Sequence, residues 1–219
     1  MTEPIIDNIK ICGITQTATA LLCAELGFGA VGFIFYPKSP RNVSPETVRA
    51  ITKILPDRME KVGVFVDEPL KVMLRTAKFS GLTTIQLHGN EGIDTILDLE
   101  QHGFGVVKVA RSSEEAQRMM TTLPDETSLL LECGSGVLPG GNGAVWNWAE
   151  ARTISGSLPL GIAGGLSPEN IIKAIEDSGA MAYDISSGVE SSPGVKDPDA
   201  IRRLAKAVQN LRHNLQPFW

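Results

Sequence analysis

Residues 158–188 read LPLGIAGGLSPENIIKAIEDSGAMAYDISSG, and this stretch carries the grammar of the whole chain. A short apolar run at 158–163 stops at Gly164 and Gly165. Ser167 and Pro168 then have the form of a helix start, with a hydroxyl to cap free amides and a ring at the first helical position. Gly179 supplies a C-terminal stop, and a second apolar run follows at 181–185. Runs this short, bounded by glycine and proline, favour buried parallel strands over helices.

The same pattern extends in both directions. SPETVRAITKIL repeats the helix start at Ser44 and Pro45, with apolar residues at Val48, Ile51, Ile54 and Leu55. PDAIRRLAKAVQNLRHNL closes the series with a stripe at Ile201, Leu204, Ala205, Val208 and Leu211. Further strand-like runs stand at 8–12, 30–35, 61–66, 83–87, 105–110 and 127–131. Eight strands alternating with helices in 219 residues predict an α/β fold, a single (β/α)8 TIM barrel spanning 1–219 as one domain. A doubly wound open sheet also alternates strand and helix, but no G-x-G-x-x-G follows the first strand, where KICGIT stands instead.

Composition narrows the function. A net charge of -5 gives no footprint for nucleic acid or an anionic membrane, so the expected partner is a small molecule or another protein. The chain is expected to be a monomer or homodimer. No apolar run approaches the roughly 20 residues that span a bilayer, and the opening MTEPIIDNIK lacks signal-peptide form. Three cysteines without metal-like spacing suit reduced thiols, so a cytoplasmic location is expected. Cys23 and Cys133 read as structural.

Polar residues fall where barrel enzymes keep their chemistry. Cys12, Asp67, His88, Glu132 and Asp184 each stand at or just past the C-terminal end of a strand-like run. A strand-end thiol is otherwise a small hydrophobe, and a strand-end acid can cap a helix or pair with a surface base. After the last two strands come Gly164 and Gly165, then Ser186, Ser187 and Gly188. Glycine lets backbone approach a ligand closely, and paired loops at these positions are a frequent phosphate site of the fold. Gly-Gly also turns a strand into a helix with no ligand at all.

The segments KICGIT, VGFIFYPKSPRNVSPE, VGVFVDE, IQLHGNE, GGNGAVWNW, IAGGLSPENI and DISSGVESSPGVKDP together resemble the phosphoribosylanthranilate isomerases of tryptophan biosynthesis. The resemblance implies a (β/α)8 barrel that needs no metal or cofactor. It implies an Amadori rearrangement of N-(5′-phosphoribosyl)anthranilate to 1-(o-carboxyphenylamino)-1-deoxyribulose 5-phosphate. It makes Cys12 the general base and Glu132 the general acid, with Arg41 on the anthranilate carboxylate. It puts Gly164, Gly165, Ser186, Ser187 and Gly188 on the phosphate, and Gln86, His88 and Asp184 near the sugar.

Two departures stand out. The family's acid is an aspartate where this chain has Glu132, a shift of roughly an ångström, and misplacement of that size can cost about a hundredfold in rate. Asn142 replaces a common threonine nearby. Two other readings compete: the analogous isomerase of histidine biosynthesis, which uses aspartate where Cys12 stands, and a degenerate barrel that binds a phosphate ester without turnover. Phe218 and Trp219 are expected to dock on the barrel or on a partner.

Overall fold

In a computed structural model, residues 3–133, 145–213 and 218–219 are described; Asn142 lies outside them. Eight parallel strands close into a barrel in sequence order: β1 (Ile9–Cys12), β2 (Ala30–Phe35), β3 (Glu60–Phe65), β4 (Thr84–Leu87), β5 (Gly105–Ala110), β6 (Ser128–Leu131), β7 (Leu160–Ala163) and β8 (Ala182–Ile185). The connecting helices are α1 (Thr17–Leu26), α2 (Pro45–Thr52), α3 (Leu70–Ser80), α4 (Ile93–Gln101), α5 (Ser113–Met119) and α6 (Ile171–Ser178), with α7 (Pro198–Val208) after β8. A 3-10 turn, Trp148–Thr153, stands between β6 and β7. Among the described residues no helix is long and apolar enough to cross a membrane.

Side chains alternate along each strand, so each contributes to two different interiors. Ile9, Ile11, Val31, Phe33, Tyr183 and Ile185 join the large core between barrel and helices. Val107, Val109, Leu130, Ala163 and Ala182 form a separate cluster with Phe218 inside the barrel. Phe218 is thus docked on the barrel itself.

Helix starts follow the sequence unevenly. Ser44 caps α2, its hydroxyl accepting from Thr47 N at 3.2 Å, and Pro45 takes the first position. At Ser167 and Pro168 the helix is delayed, and α6 begins only at Ile171. The cause is Asn170, whose side chain accepts from Ser167 N at 2.8 Å and donates to Gly165 O at 2.8 Å. The SPEN tetrapeptide is therefore a turn that braces the glycine loop. Gly179 ends α6 in the left-handed region, as expected. Asn8 belongs to a 3-10 turn, not to β1, and α7 stops at Val208, short of Leu211.

Gly29, just before β2, is set by close approach. A Cβ there would lie 1.7 Å from the Asp7 carbonyl oxygen, which a side chain cannot avoid by changing rotamer. Gly29→Ala is expected to cost about 3 kcal/mol, whereas Ser44→Ala loses an exposed cap worth about 1 kcal/mol. Urea unfolding of both variants checks this; equal losses would mean the Gly29 backbone relaxes freely.

Candidate active site

At the C-terminal mouth of the barrel lies an open cavity of about 700 Å³. Its walls bring together Cys12, Arg41, Gln86, His88, Glu132, Gly164, Gly165, Asp184, Ser186 and Ser187. Two residues singled out in the sequence are elsewhere. Gly188 does not line the cavity: a Cβ there would meet Leu166 O at 1.9 Å, so the glycine lets the loop after β8 lie against the loop after β7. Asp67 is not in the wall either. It holds a left-handed turn (φ 52°), and its carboxylate accepts from Asn90 N at 2.6 Å.

Cys12 ends β1 with its side chain toward the barrel axis. Gly32 on β2 makes that possible, since a Cβ there would fall 2.8 Å from the thiol sulfur. Burial, reinforced by the Asp184 charge, pushes the Cys12 thiol up to about 12, against the pull of Lys10 and Lys196. At rest, near neutral pH, this group is a thiol.

Beneath the cavity runs a chain of polar contacts. Lys10 Nζ stands 3.1 Å from Asp184 Oδ2 and donates a short bond to Gln86 Oε1. The Gln86 amide nitrogen lies 3.4 Å from His88 Nδ1, and His88 Nε2 lies 3.3 Å from Glu132 Oε2. With the Gln86 oxygen committed to Lys10, its amide donates to His88 Nδ1, leaving the proton of the neutral ring on Nε2 to face Glu132. Glutamate at this position is therefore held by a specific partner. Asp184 Oδ1 is buried with no hydrogen-bond partner among the described residues, an acceptor facing the cavity. Burial raises the Asp184 pKa, with Lys10 opposing and Glu132 adding to the rise.

Arg41 is half engaged. Its Nε and Nη2 donate to the two oxygens of Glu190 at 2.8 and 2.7 Å, which leaves the Nη1 edge for another anion. Gly13 makes room for this side chain; a Cβ there would meet Arg41 Cδ at 2.6 Å. Lys196 donates to Glu190 Oε1 at 2.7 Å and to Ser186 O at 2.9 Å, and Ser186 Oγ donates to Cys12 O at 3.1 Å. This network ties the loops after β1, β2 and β8 together. The loop after β7 is clamped from the other side. Trp146 Nε1 donates to Ala163 O and Trp148 Nε1 to Gly164 O, and Gly164 and Gly165 both take positive φ.

Three of these groups were missed in the sequence reading: Lys10, Glu190 and Lys196. Lys10 had a signal, since it interrupts an apolar strand two residues before Cys12 and so shares its face. Glu190 and Lys196 lie in DISSGVESSPGVKDP, but nothing in the spacing says that Glu190 meets Arg41 or that Lys196 joins it there.

Residues 9–207 match the sequence model of the family described as N-(5′-phosphoribosyl)anthranilate isomerase. An N-(5′-phosphoribosyl)anthranilate isomerase of Desulfatibacillum aliphaticivorans is 42% identical over 210 residues, 96% of each chain. The crystal structure of phosphoribosyl anthranilate isomerase from Thermotoga maritima superposes with a TM-score of 0.84 at 36% identity, over 93% of this chain and 99% of that one. A phosphoribosyl anthranilate isomerase in complex with reduced 1-(o-carboxyphenylamino)-1-deoxyribulose 5-phosphate gives 0.79 at 35% identity, over 93% and 99%.

The Arg41–Glu190–Lys196 cluster has a testable energetic consequence. Burial pushes the Glu190 carboxyl up, but Arg41 and Lys196 together outweigh it and hold the pKa below its ordinary 4.5. Glu190→Gln leaves two buried cations without an anion and is expected to cost about 3 kcal/mol. A depressed carboxylate stabilises above its unfolded value, so the gap between wild type and variant is fully open above pH 4.5. It closes as pH falls through the lower folded value. Unfolding free energies at pH 7 and in the acid range measure it; a pH-independent gap would show that Glu190 acts by packing.

Proposed function

The chain belongs to the N-(5′-phosphoribosyl)anthranilate isomerase family, and from that premise we propose how its own residues carry out the aldose-to-ketose rearrangement. The observation that carries the reading is one cavity with Cys12 and Glu132 on different strands, Arg41 at one side and both glycine loops at its rim.

The phosphate sits against Gly164, Gly165, Ser186 and Ser187, whose loops approach one another because Gly188 has no side chain. The free Nη1 edge of Arg41 takes the anthranilate carboxylate, as a planar guanidinium suits. Glu190 aims that edge and does not compete for it. Asp184 Oδ1 accepts from a ribose hydroxyl, giving its buried oxygen the partner it lacks. The site thus fixes both ends of the substrate and leaves the sugar between the acid and the base.

Glu132, in its acid form, gives a proton to the ribose ring oxygen. The bond from that oxygen to the anomeric carbon breaks, and the nitrogen lone pair forms a protonated imine. Cys12, as thiolate, removes the C2′ proton; the C–H electrons form the enolamine, which tautomerises to the ketone. Each step transfers one proton and moves one electron pair, so acid and base suffice.

The resting thiol at about 12 is the obstacle, and the substrate supplies the remedy. A protonated imine about 4 Å away, at an effective dielectric near 20, is worth ~4 kcal/mol, or roughly a thousandfold in thiolate population. Lys10 and Lys196 already pull the same way. Gln86 and His88 act in this scheme by orienting Glu132. The cytoplasm, where thiols stay reduced, is the compartment that keeps Cys12 in service.

Turnover of freshly generated phosphoribosylanthranilate, followed by loss of anthranilate fluorescence, tests these roles. Cys12→Ala is expected to lose about a thousandfold in kcat and Glu132→Gln more than about a hundredfold. Glu132→Asp, which retreats from His88, is expected to lose roughly tenfold. Wild-type turnover matched by Glu132→Gln would remove the acid from the scheme. In the free enzyme the thiol ionises near 12, so in Glu132→Gln, where no carboxylic acid titrates against the thiol, the residual kcat/KM should still be rising through pH 9. A plateau reached below pH 8 would mean that another group is the base.

A further inference from the structure

The floor of the barrel is closed by Phe218 and Trp219, which lie beyond residue 207, where the family match ends. The closure is specific. Phe218 N donates to Asn8 Oδ1 at 3.3 Å, and Phe218 O accepts from Ser128 Oγ at 3.1 Å, so both backbone groups of the residue are latched to the barrel. Its ring fills a place opened by Gly161, where a Cβ would come 3.0 Å from the ring edge. Trp219 packs edge-on against Phe218, with centroids 4.8 Å apart. The Lys10 ammonium then lies over the indole face, 4.5 Å from its centroid.

The choice of residue is informative. Among the described residues the Trp219 Nε1–H is buried without a hydrogen-bond partner, which makes an indole a poor plain filler. Phenylalanine or leucine would plug the floor without that defect. What tryptophan offers above both is the best aromatic face for a cation, and the cation here is the partner of Asp184.

We propose that Trp219 is a positioning residue of the isomerase: its indole face supports the Lys10 ammonium from below, and through Lys10 it fixes the Asp184 carboxylate under the substrate. The proposal rests on the reading of Asp184 as a substrate acceptor. Lys10 can reach Gln86 and Asp184 at once only if its nitrogen is held at the barrel axis, and Trp219 excludes the water that would draw it downward. The charged and titratable groups facing Asp184 are Lys10 from β1, Cys12 at the end of β1, His88 after β4 and Glu132 after β6.

The test compares steady-state kinetics across pH for Trp219→Leu, Trp219→Phe, Phe218→Leu and Asp184→Asn, with thermal melts for each. Trp219→Leu is expected to lower kcat about tenfold with KM within about twofold, because Asp184 shifts beneath the reacting sugar. Lys10, which holds the Asp184 pKa down, loses its seat, so the acid limb of kcat moves to higher pH. Trp219→Phe keeps a weaker face and is expected to lie between, roughly two- to threefold down, its limb displaced the same way. Phe218→Leu is expected to lower the melting temperature while leaving kcat and the limb unchanged.

A Trp219→Leu enzyme that melts earlier but keeps wild-type kcat and acid limb would overturn the proposal and make Trp219 a plug. Should that variant not fold, Trp219→Phe decides alone: a displaced limb supports the proposal and an unmoved limb overturns it. Asp184→Asn separates the two levels. If it keeps both turnover and limb, the reading of Asp184 is what fails. If it removes the limb while the Trp219 variants leave it in place, the fault lies with Trp219.

Discussion

The ion pair between Lys10 and Asp184 sits where the barrel closes, and much else depends on it. Lys10 and Asp184 are register partners on β1 and β8, the first and last strands of the ring. Both are buried, and a buried charge without its partner costs several kcal/mol. Because side chains alternate, a slip of one residue at this seam would turn Lys10 toward the apolar helix layer and Ile9 or Ile11 inward. The pair therefore specifies the closing register. It also places Cys12, two residues along β1, on the same inner face.

A narrow barrel allows each strand only a few inward positions, and here they are divided by height. The floor is apolar, built from Val107, Val109, Leu130, Ala182 and Phe218, with Trp219 beneath Lys10. The middle is the polar chain from Asp184 through Lys10, Gln86 and His88 to Glu132. The top holds Cys12 and the loops. Electrostatics worked out in the middle layer is thereby delivered to the reactive layer, with the floor keeping water out from below.

How much of this was legible in the sequence depends on the range of the interaction. Strand alternation is local, so the barrel could be read from the apolar runs, and Gly179 and Ser44 acted as written. Ser167 did not begin its helix, because Asn170, three residues on, offered stronger local bonds to Ser167 and Gly165. Strand-end residues of the site were readable because the fold itself puts them at one mouth. Gly188 reads from the sequence as a glycine in a ligand loop, and its loop-to-loop contact with Leu166 depends on a residue of another loop and has no local signal. The anion-binding reading of Arg41 rests on the family resemblance, and Glu190 is 149 positions away, so its bidentate bonds have no local trace. Pairings of that range appear only once the ring is closed.

The buried thiol and the half-occupied arginine follow one logic. Both are groups that the proposed mechanism calls on and that the structure holds in a quiet state: Cys12 as neutral thiol through burial, Arg41 neutralised on one edge by Glu190. An exposed, ionised thiolate would be a stronger resting base, but it would also be the form that oxidants attack. Burial suppresses that form, and in the proposed mechanism the cationic intermediate then favours it. The price is a low thiolate population before ring opening, which makes the order of events part of the mechanism. In the proposed mechanism proton donation from Glu132 has to come first, because only the imine it creates supplies the charge that Cys12 needs. The distance between acid and base around the ring is then a sequence in time as well as a geometry. On that scheme the His88 contact that holds the longer glutamate side chain bears directly on the step that starts it.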